Sequence, residues 1–551
     1  MLSARMARGI RASVLAFVAL THIAVADDVP PGLEAQMPEN PSGRLDHILK
    51  RGTLIVGVKG DYPPWGMVGP DGTPVGLEPD LARDLARRMG VGLELRPVTA
   101  SNRIARVNQG IVDVVIATTG DTAARRNRAD LLEPGYYSSG VVVYGRADLD
   151  LRTWEELKGQ PVCLNQGAYY NRTLEETYGV DGRYFASNRE SQLAVLHGRC
   201  IGWAFDDTAL AQLIRTAPDD DFAVMEETIE VTPWAIIVAR GEGQADLGRF
   251  VSDMIAEWHA GGRILELQDK WGLPRTAYLR DKHATWSAVE DGRAVCARDR
   301  SGAFPATCLD PAPYASAPLP DPPGWMTALH DRTGIDLRAF TSPYIRARLL
   351  RGLGLTLALS VCAILGALIV GVGLGLIHAS LEARGWIGRL LLVPQRVLIS
   401  VARMTPPILQ LYILFFGIGA TTATGAAFTP GGFVIAIVVF SLYAGSTNAV
   451  ILSHAFDQER ELNPEASALA RLPKAFERGF DGLVATCVNI VKAAGMASAI
   501  AVGEVISSVN LTVSEGADTT TLMNGLLVFY FLLVLGIIWL FKRLKSWMLA
   551  R

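Results

Sequence analysis

Lys492 is ionisable yet falls inside a stretch, about 483–507, that is apolar enough to cross a bilayer as a helix. Charge within hydrocarbon is costly unless it faces a polar cavity or a partner. Lys492 is therefore a candidate for a transport pathway or gate, with a Lys snorkelling from a helix end as the alternative. Gly366, Gly371, Gly373 and Gly375 could suggest a phosphate loop. They lie in an apolar run with no strand before them and no Lys-Ser/Thr after, so close helix packing is the expectation. No Gly-rich loop ending in Gly-Lys-Ser/Thr occurs in the chain, so any ATP hydrolysis belongs to a separate subunit. No catalytic residue, metal ligand or cofactor is read for this chain itself.

The cysteines sort by region. Cys163, Cys200, Cys296 and Cys308 fall in the part expected outside the cell, and Cys362 and Cys487 in apolar segments. An even exported count suggests two disulfides. Cys163–Cys200 would tie a strand to a later helix–strand junction, and Cys296–Cys308 would close a short loop, though the sequence leaves the connectivity open.

The elements that must position these residues divide the 551-residue chain. Arg5, Arg8 and Arg11 precede an apolar run from Ala12 to Ala24-Val25-Ala26, which reads as a cleavable secretory signal over 1–26. An uncleaved anchor is the alternative. A short extension, 27–44, leads to a segment at 45–275 in which strand-like runs such as Thr53–Val58 and Val112–Ile116 alternate with helical patterns such as Pro79–Met89. That alternation predicts two α/β lobes around one cleft, with solute at the carboxyl ends of the strands. Between 276 and 345 the chain turns Pro-rich, with Pro305, Pro311, Pro313, Pro318, Pro320, Pro322 and Pro323, and an extended semi-rigid tether is expected.

The last region, 346–551, carries five candidate spans at about 353–377, 404–423, 431–453, 483–507 and 524–541. Arg384, Arg389, Arg396 and Arg403, then Arg460, Arg471, Lys474 and Arg478, then Lys542, Arg543, Lys545 and Arg551 mark alternate loops. The loops 420–430 and 508–523 contain neither Lys nor Arg. The positive side being cytoplasmic, the C-terminus is expected inside and the first span to start outside. Half of the residues are hydrophobic, 19% are charged and net charge is −3, with no basic stretch suited to nucleic acid.

Motifs along the soluble segment carry a resemblance. Tyr62-Pro63-Pro64-Trp65, Val75-Gly76-Leu77-Glu78-Pro79-Asp80-Leu81, Asn102-Arg103-Ile104, Gly110-Ile111-Val112-Asp113, Thr118-Thr119 and Thr122-Ala123-Ala124-Arg125 occur in this order. In this order they resemble periplasmic binding proteins for polar amino acids, solute-binding family 3, and Gly198-Arg199 with Asp206-Asp207 resembles the glutamate/aspartate branch. The resemblance implies Arg125 for the ligand α-carboxylate and Asp206 for the α-ammonium. It further implies Thr118 and Gly120 as hydroxyl and backbone donors, and Tyr62 as an aromatic wall. Arg suits such a site because its guanidinium binds a carboxylate bidentately and stays charged when buried. Gln166-Gly167-Ala168-Tyr169 departs from the family's Gly-Thr-Thr or Gly-Ser-Thr, so a hydroxyl is lost while Gly167 and Tyr169 keep the position. Lys59 stands where the acidic-ligand branch is basic, and a buried cation there would repel a cationic side chain. An acidic or polar neutral amino acid is expected.

The membrane region is similar to the permease subunit of polar amino-acid ABC importers. Leu349-Leu350-Arg351-Gly352-Leu353 with Thr356-Leu357 resembles that family's first span, and Arg403-Met404-Thr405-Pro406-Pro407-Ile408-Leu409-Gln410 its Arg-Gly-Thr-Pro motif. Lys492 and Glu504 fall where the family has Lys and Glu. The coupling segment departs from pattern: Glu465-Ala466-Ser467 is followed by Arg471 where a Gly is usual, and Leu472-Pro473 arrives about ten residues early. Together these resemblances imply a type II periplasmic binding fold followed by an all-α domain of five transmembrane helices. They imply an importer subunit in the bacterial inner membrane, paired with itself or a second permease and with a cytoplasmic ABC ATPase. The alternatives are a receptor or sensor that has lost ATPase coupling and an enzyme on the same two-lobed fold.

Overall fold

The computed structural model describes residues 29–225, 227–311, 321–417 and 430–549. The expected secretory signal lies outside them.

The run Thr53–Lys59 is buried from Leu54 onward without alternation, as a strand covered on both faces requires. It pairs in parallel with Gly92–Val98 on one side and Val114–Ile116 on the other. Ile237–Val238 and Asp130–Leu131 complete this five-stranded first lobe. Helix Leu77–Met89 turns Leu77, Leu81, Leu85 and Met89 into its core and stops at Gly90, whose left-handed backbone (φ 69°) lets its N–H return to the last turn.

The second lobe is a sheet of six strands in the order Asp181–Phe185, Pro161–Asn165, Gly202–Asp206, Tyr137–Arg146 and Phe222–Val224, with Ile229–Trp234 also paired to Tyr137–Arg146. The chain crosses between lobes at 132–136 and 234–236. These crossovers are tied together by the Leu132 N–H to Ile236 and the Tyr136 N–H to Trp234, each 2.8 Å. Both expected disulfides, Cys163–Cys200 and Cys296–Cys308, are present.

Residues 276–310 differ from the tether expected of them. Ala277–Trp286 is a helix, Val289–Glu290 and Arg293–Ala294 form a hairpin, and Cys296 and Cys308 close a loop. Trp286 and both half-cystines pack into one cluster with Leu33, Ala256 and Ala260, so the soluble domain runs to about residue 310 and includes the N-terminal extension. Apolar side chains at Leu279 and Trp286 override the turn-forming composition, since their burial outweighs the stiffness of a few prolines. The tether composition is concentrated after Pro311, and 312–320 lies outside the described residues.

Among the described residues, four helices in the last region are long and apolar enough to cross a membrane: Pro343–Glu382, Gly432–Leu462, Ala468–Ile500 and Thr519–Trp547. The pair Gly385–Leu391 and Val393–Met404, bent by 41°, makes five if it counts as one span. Two expected spans are corrected. At 404–423 the helix ends at Met404, because Pro406-Pro407 cannot continue it, and a short helix restarts at Pro407; 418–429 lies outside the described residues. At 483–507 the α-helix ends at Ala493, tightens into a 3₁₀ turn over Ala494–Ile500, reverses at Ala501 (φ 57°) and restarts at Val505. Hydropathy sees none of this, because the broken segment stays apolar throughout. The glycine run packs as expected at three of four positions. A Cβ on Gly366 would sit 2.1 Å from Ser441 Oγ, on Gly371 2.4 Å from Asn448 Cβ and on Gly375 3.1 Å from Leu452 Cβ, whereas Gly373 meets nothing.

Candidate binding cleft

The candidate residues sit where strands end. In the first lobe Tyr62 follows Thr53–Lys59, Thr118 and Gly120 follow Val114–Ile116, and Arg125 lies in the short helix Ala123–Arg126 capped by Thr122. In the second lobe Gly167 and Tyr169 follow Pro161–Asn165, and Asp206 ends Gly202–Asp206. The fold brings all of them to one interface between lobes. Tyr62 donates its hydroxyl hydrogen to Asp206 across the cleft. Arg125 donates from Nη1 to the Gly120 carbonyl at 2.7 Å and from Nη2 to the Gly167 carbonyl of the opposite lobe at 2.9 Å. The same guanidinium lies 5.6 Å from the centre of the Tyr169 ring.

Gly167 has φ 85°, and a Cβ there would fall 2.7 Å from the backbone of Ala100 and Ser101 in the facing lobe. Only glycine permits that approach. Where the family hydroxyl is missing, Tyr169 fills the space, its ring 3.1 Å from where a Gly120 Cβ would be and its hydroxyl donating to the Glu230 carbonyl at 2.6 Å.

Burial pushes the Arg125 guanidinium down to about 9, with the nearby Arg103 charge adding to the effect. Burial pushes the Asp206 carboxyl up to about 7 against the opposing Tyr62 hydrogen bond. Among the described residues neither makes an ion pair. Two buried groups of opposite charge type on facing lobes, hydrogen-bonded but without a charged partner, are what a zwitterion could satisfy.

Glu78 and Arg103 lie within the sequence motifs, which give them no role of their own. Glu78 is fully buried, accepts from the Thr118 N–H at 2.6 Å and from the Tyr136 hydroxyl at 2.6 Å, and burial raises its carboxyl to about 7. Arg103, also buried, donates to the carbonyls of Ala117 and Thr118. These bonds hold Thr118 in a left-handed backbone, φ 44°, that a β-branched residue rarely adopts. A Glu in the first turn of a helix reads as a solvated partner of the helix dipole, so only the fold shows that it faces inward. Trp65, Phe205 and Trp234 complete an aromatic floor, with Tyr62 ring centres 5.5, 5.0 and 6.0 Å away.

Lys59 is buried as expected, but its charge is not alone. Its Nζ lies 2.7 Å from Asp61 Oδ1, which removes most of the repulsion expected toward a cationic ligand.

The membrane candidates do not form a site within one chain. Arg403 is exposed at the end of Val393–Met404, Glu465 is exposed in the turn after Leu462, and Lys492 is exposed on Ala468–Ala493. Glu504 is buried and caps the next helix, accepting from the N–H groups of Ile506 at 2.8 Å and Ser507 at 2.9 Å.

Two α/β lobes joined by paired crossovers, with Arg125 and Asp206 between them, define a type II periplasmic binding fold. Residues 54–274 match the bacterial extracellular solute-binding proteins, family 3. An L-cystine-binding protein of Escherichia coli (strain K12) is 31% identical over 232 residues, 42% of this chain and 86% of that protein. An L-glutamate/L-aspartate-binding protein of Pseudomonas aeruginosa is 23% identical over 244 residues, 42% of this chain and 80% of that protein. The solved solute receptor for L-cysteine of Neisseria gonorrhoeae is 26% identical, covering 41% of this chain and 92% of that one with a TM-score of 0.39. Through its soluble domain, this chain belongs to the family 3 extracellular solute-binding proteins.

Proposed function

We propose that this chain captures an acidic or polar neutral amino acid outside the cytoplasmic membrane and, as a fused receptor and permease subunit, passes it to a pathway formed with a second copy or a second permease. A cytoplasmic ABC ATPase drives the cycle. The observation that carries this reading is the pair of buried groups Arg125 and Asp206 on facing lobes, neither in an ion pair among the described residues. Arg125 takes the α-carboxylate and Asp206 the α-ammonium, while Thr118 and Gly120 add donors and Tyr62 covers the ligand. With Lys59 balanced by Asp61, charge at that position no longer separates acidic from neutral ligands, and the L-cystine-binding relative adds cystine to the class.

The alternating positive loops support a C-terminus in the cytoplasm. The exposed Lys492 and Arg403 suit a surface shared between two chains, where each would find its polar environment only on assembly.

A second reading, an amino-acid receptor without ATPase coupling, is favoured by the turn after Leu462. Only residues 463–467 separate two long helices, and Arg471 fills that turn by donating to the carbonyls of Asn463 at 3.1 Å and Pro464 at 2.8 Å. No separate docking helix stands there. Accumulation of labelled L-glutamate, L-glutamine and L-cystine by the source cells, with the chain present, deleted or carrying Arg125→Ala, separates the readings. ATP-dependent uptake lost in both altered strains supports the importer, and binding without uptake supports the receptor.

A further inference from the structure

Residues 277–310 lie beyond the family-matched segment 54–274, yet they grip the hinge. Gly135 sits on the outer edge of the first crossover, and both of its backbone polar groups are taken by side chains. Its N–H donates to Asp310 Oδ2 at 2.9 Å. Its carbonyl accepts from His259 Nε2 at 2.8 Å and lies 3.0 Å from the Tyr278 hydroxyl, which is also 3.2 Å from Asp310 Oδ2. Asp310 is held in turn by Lys282, Nζ to Oδ1 at 3.0 Å, and Lys282 donates to the Cys308 carbonyl at 3.2 Å, which ties the cluster to the disulfide loop.

The fit leaves no room for a side chain at the hinge. A Cβ on Gly135 would lie 2.9 Å from the Tyr278 hydroxyl, 3.1 Å from Asp310 Oδ2 and 2.9 Å from Pro233, in the strand that leads into the second crossover. Lobe rotation in a two-lobed binder is absorbed by a few backbone torsions at such crossovers, so groups that fix a crossover's N–H and carbonyl restrict that rotation. The grip coexists with lobes bridged by the Tyr62–Asp206 hydrogen bond and by Arg125 to Gly167.

We propose that the segment Ala277–Asp310 is a hinge latch, in which Asp310 and Tyr278 are positioning residues that favour the closed cleft and so raise its affinity. Ligand affinity scales with the fraction of protein in the competent state, so weakening the latch weakens binding without touching the cleft. The affinity arm of the test rests on the amino-acid reading of the cleft; the distance arm does not.

The test uses the full chain in detergent micelles with Cys362→Ser. Spin labels at Glu94→Cys on the first lobe and Lys158→Cys on the second, both exposed positions, report the inter-lobe distance. Titration with L-glutamate and with L-cystine reports affinity. Asp310→Asn and Tyr278→Phe are expected to shift the ligand-free distances toward longer values and to weaken binding, about tenfold for the pair combined. Asp281→Asn, exposed on the same helix as Tyr278 and Lys282, is expected to change neither. Tyr278→Phe keeps the ring packing and serves if Asp310→Asn does not fold. Unchanged or shorter distances in a folded latch variant would overturn the proposal. If neither amino acid binds the unaltered chain, the amino-acid reading fails while the distances still decide the latch.

Discussion

The charged residues singled out in the two halves of this chain behave oppositely. In the soluble half Arg125, Asp206, Glu78 and Arg103 are all buried and converge on one cleft. In the membrane half Arg403, Glu465 and Lys492 are exposed on separate elements, and the buried Glu504 is satisfied by the helix it caps. A cleft enclosed by one chain shows its chemistry in that chain. On the proposed pairing, a pathway shared between copies leaves its charges on the surface of each, and motif position alone gives them no geometry. The contrast can be broken or sharpened at several points.

The largest effect falls on Arg125. Arg125→Ala strands the ligand carboxylate in the buried cleft without a counter-charge, which costs about 3 kcal/mol or roughly two orders of magnitude in affinity, measured by calorimetry. Retained affinity would place the charge recognition elsewhere. Gly167→Ala forces a Cβ into the facing backbone and a side chain into φ 85°, so closure suffers and binding weakens about tenfold, with the slower closing step visible in stopped-flow fluorescence.

In the membrane half Gly371→Val is the matching probe. It collides with Asn448 and destabilises the helix pair by about 1–3 kcal/mol, lowering the Tm of the full chain, while amino-acid affinity stays unchanged. A change in affinity would show the two halves to be coupled at rest.

The pH dependence comes next. The Asp206 and Glu78 carboxyls are raised to about 7 in the folded chain, against roughly 4 when unfolded. The folded state therefore binds more protons. The stability this gives is full below about pH 4 and is lost as pH rises through 7. Thermal melts of ligand-free protein are expected to show a lower Tm at about pH 8 than at about pH 5, with a flatter slope for Glu78→Gln. Amino-acid affinity runs the other way, rising through pH 7 as Asp206 ionises to meet the ammonium.

Lys59→Gln is the smallest change. With Asp61 balancing the charge, the ratio of glutamate to glutamine affinity is expected to move only a few-fold. A hundredfold change would restore Lys59 as a specificity determinant.

The soluble fold was legible because short apolar strand-like runs alternate with helical patterns, and the Arg125 and Asp206 pair because the motif resemblance implied both positions. Glu78 and Arg103 escaped because polar residues at helix starts look solvated until the fold sets the 117–118 backbone and Tyr136 against them. The fold of residues 276–310 is hidden in the sequence because they run into the Pro-rich stretch after 310, while the few apolar side chains that anchor them are widely spaced. The break after Ala493 escaped because hydropathy averages over a turn that stays apolar, although Gly495, Gly503 and the capping Glu504 were visible.

The measurement closest to the central claim titrates the unaltered full chain with L-glutamate, L-glutamine and L-cystine, and with analogues of each lacking the α-carboxylate or the α-amine. Tight binding of at least one amino acid, lost in both analogues of that ligand, is the predicted result, since Arg125 and Asp206 each need their counter-charge. Equal binding of an analogue that lacks either group would contradict the account.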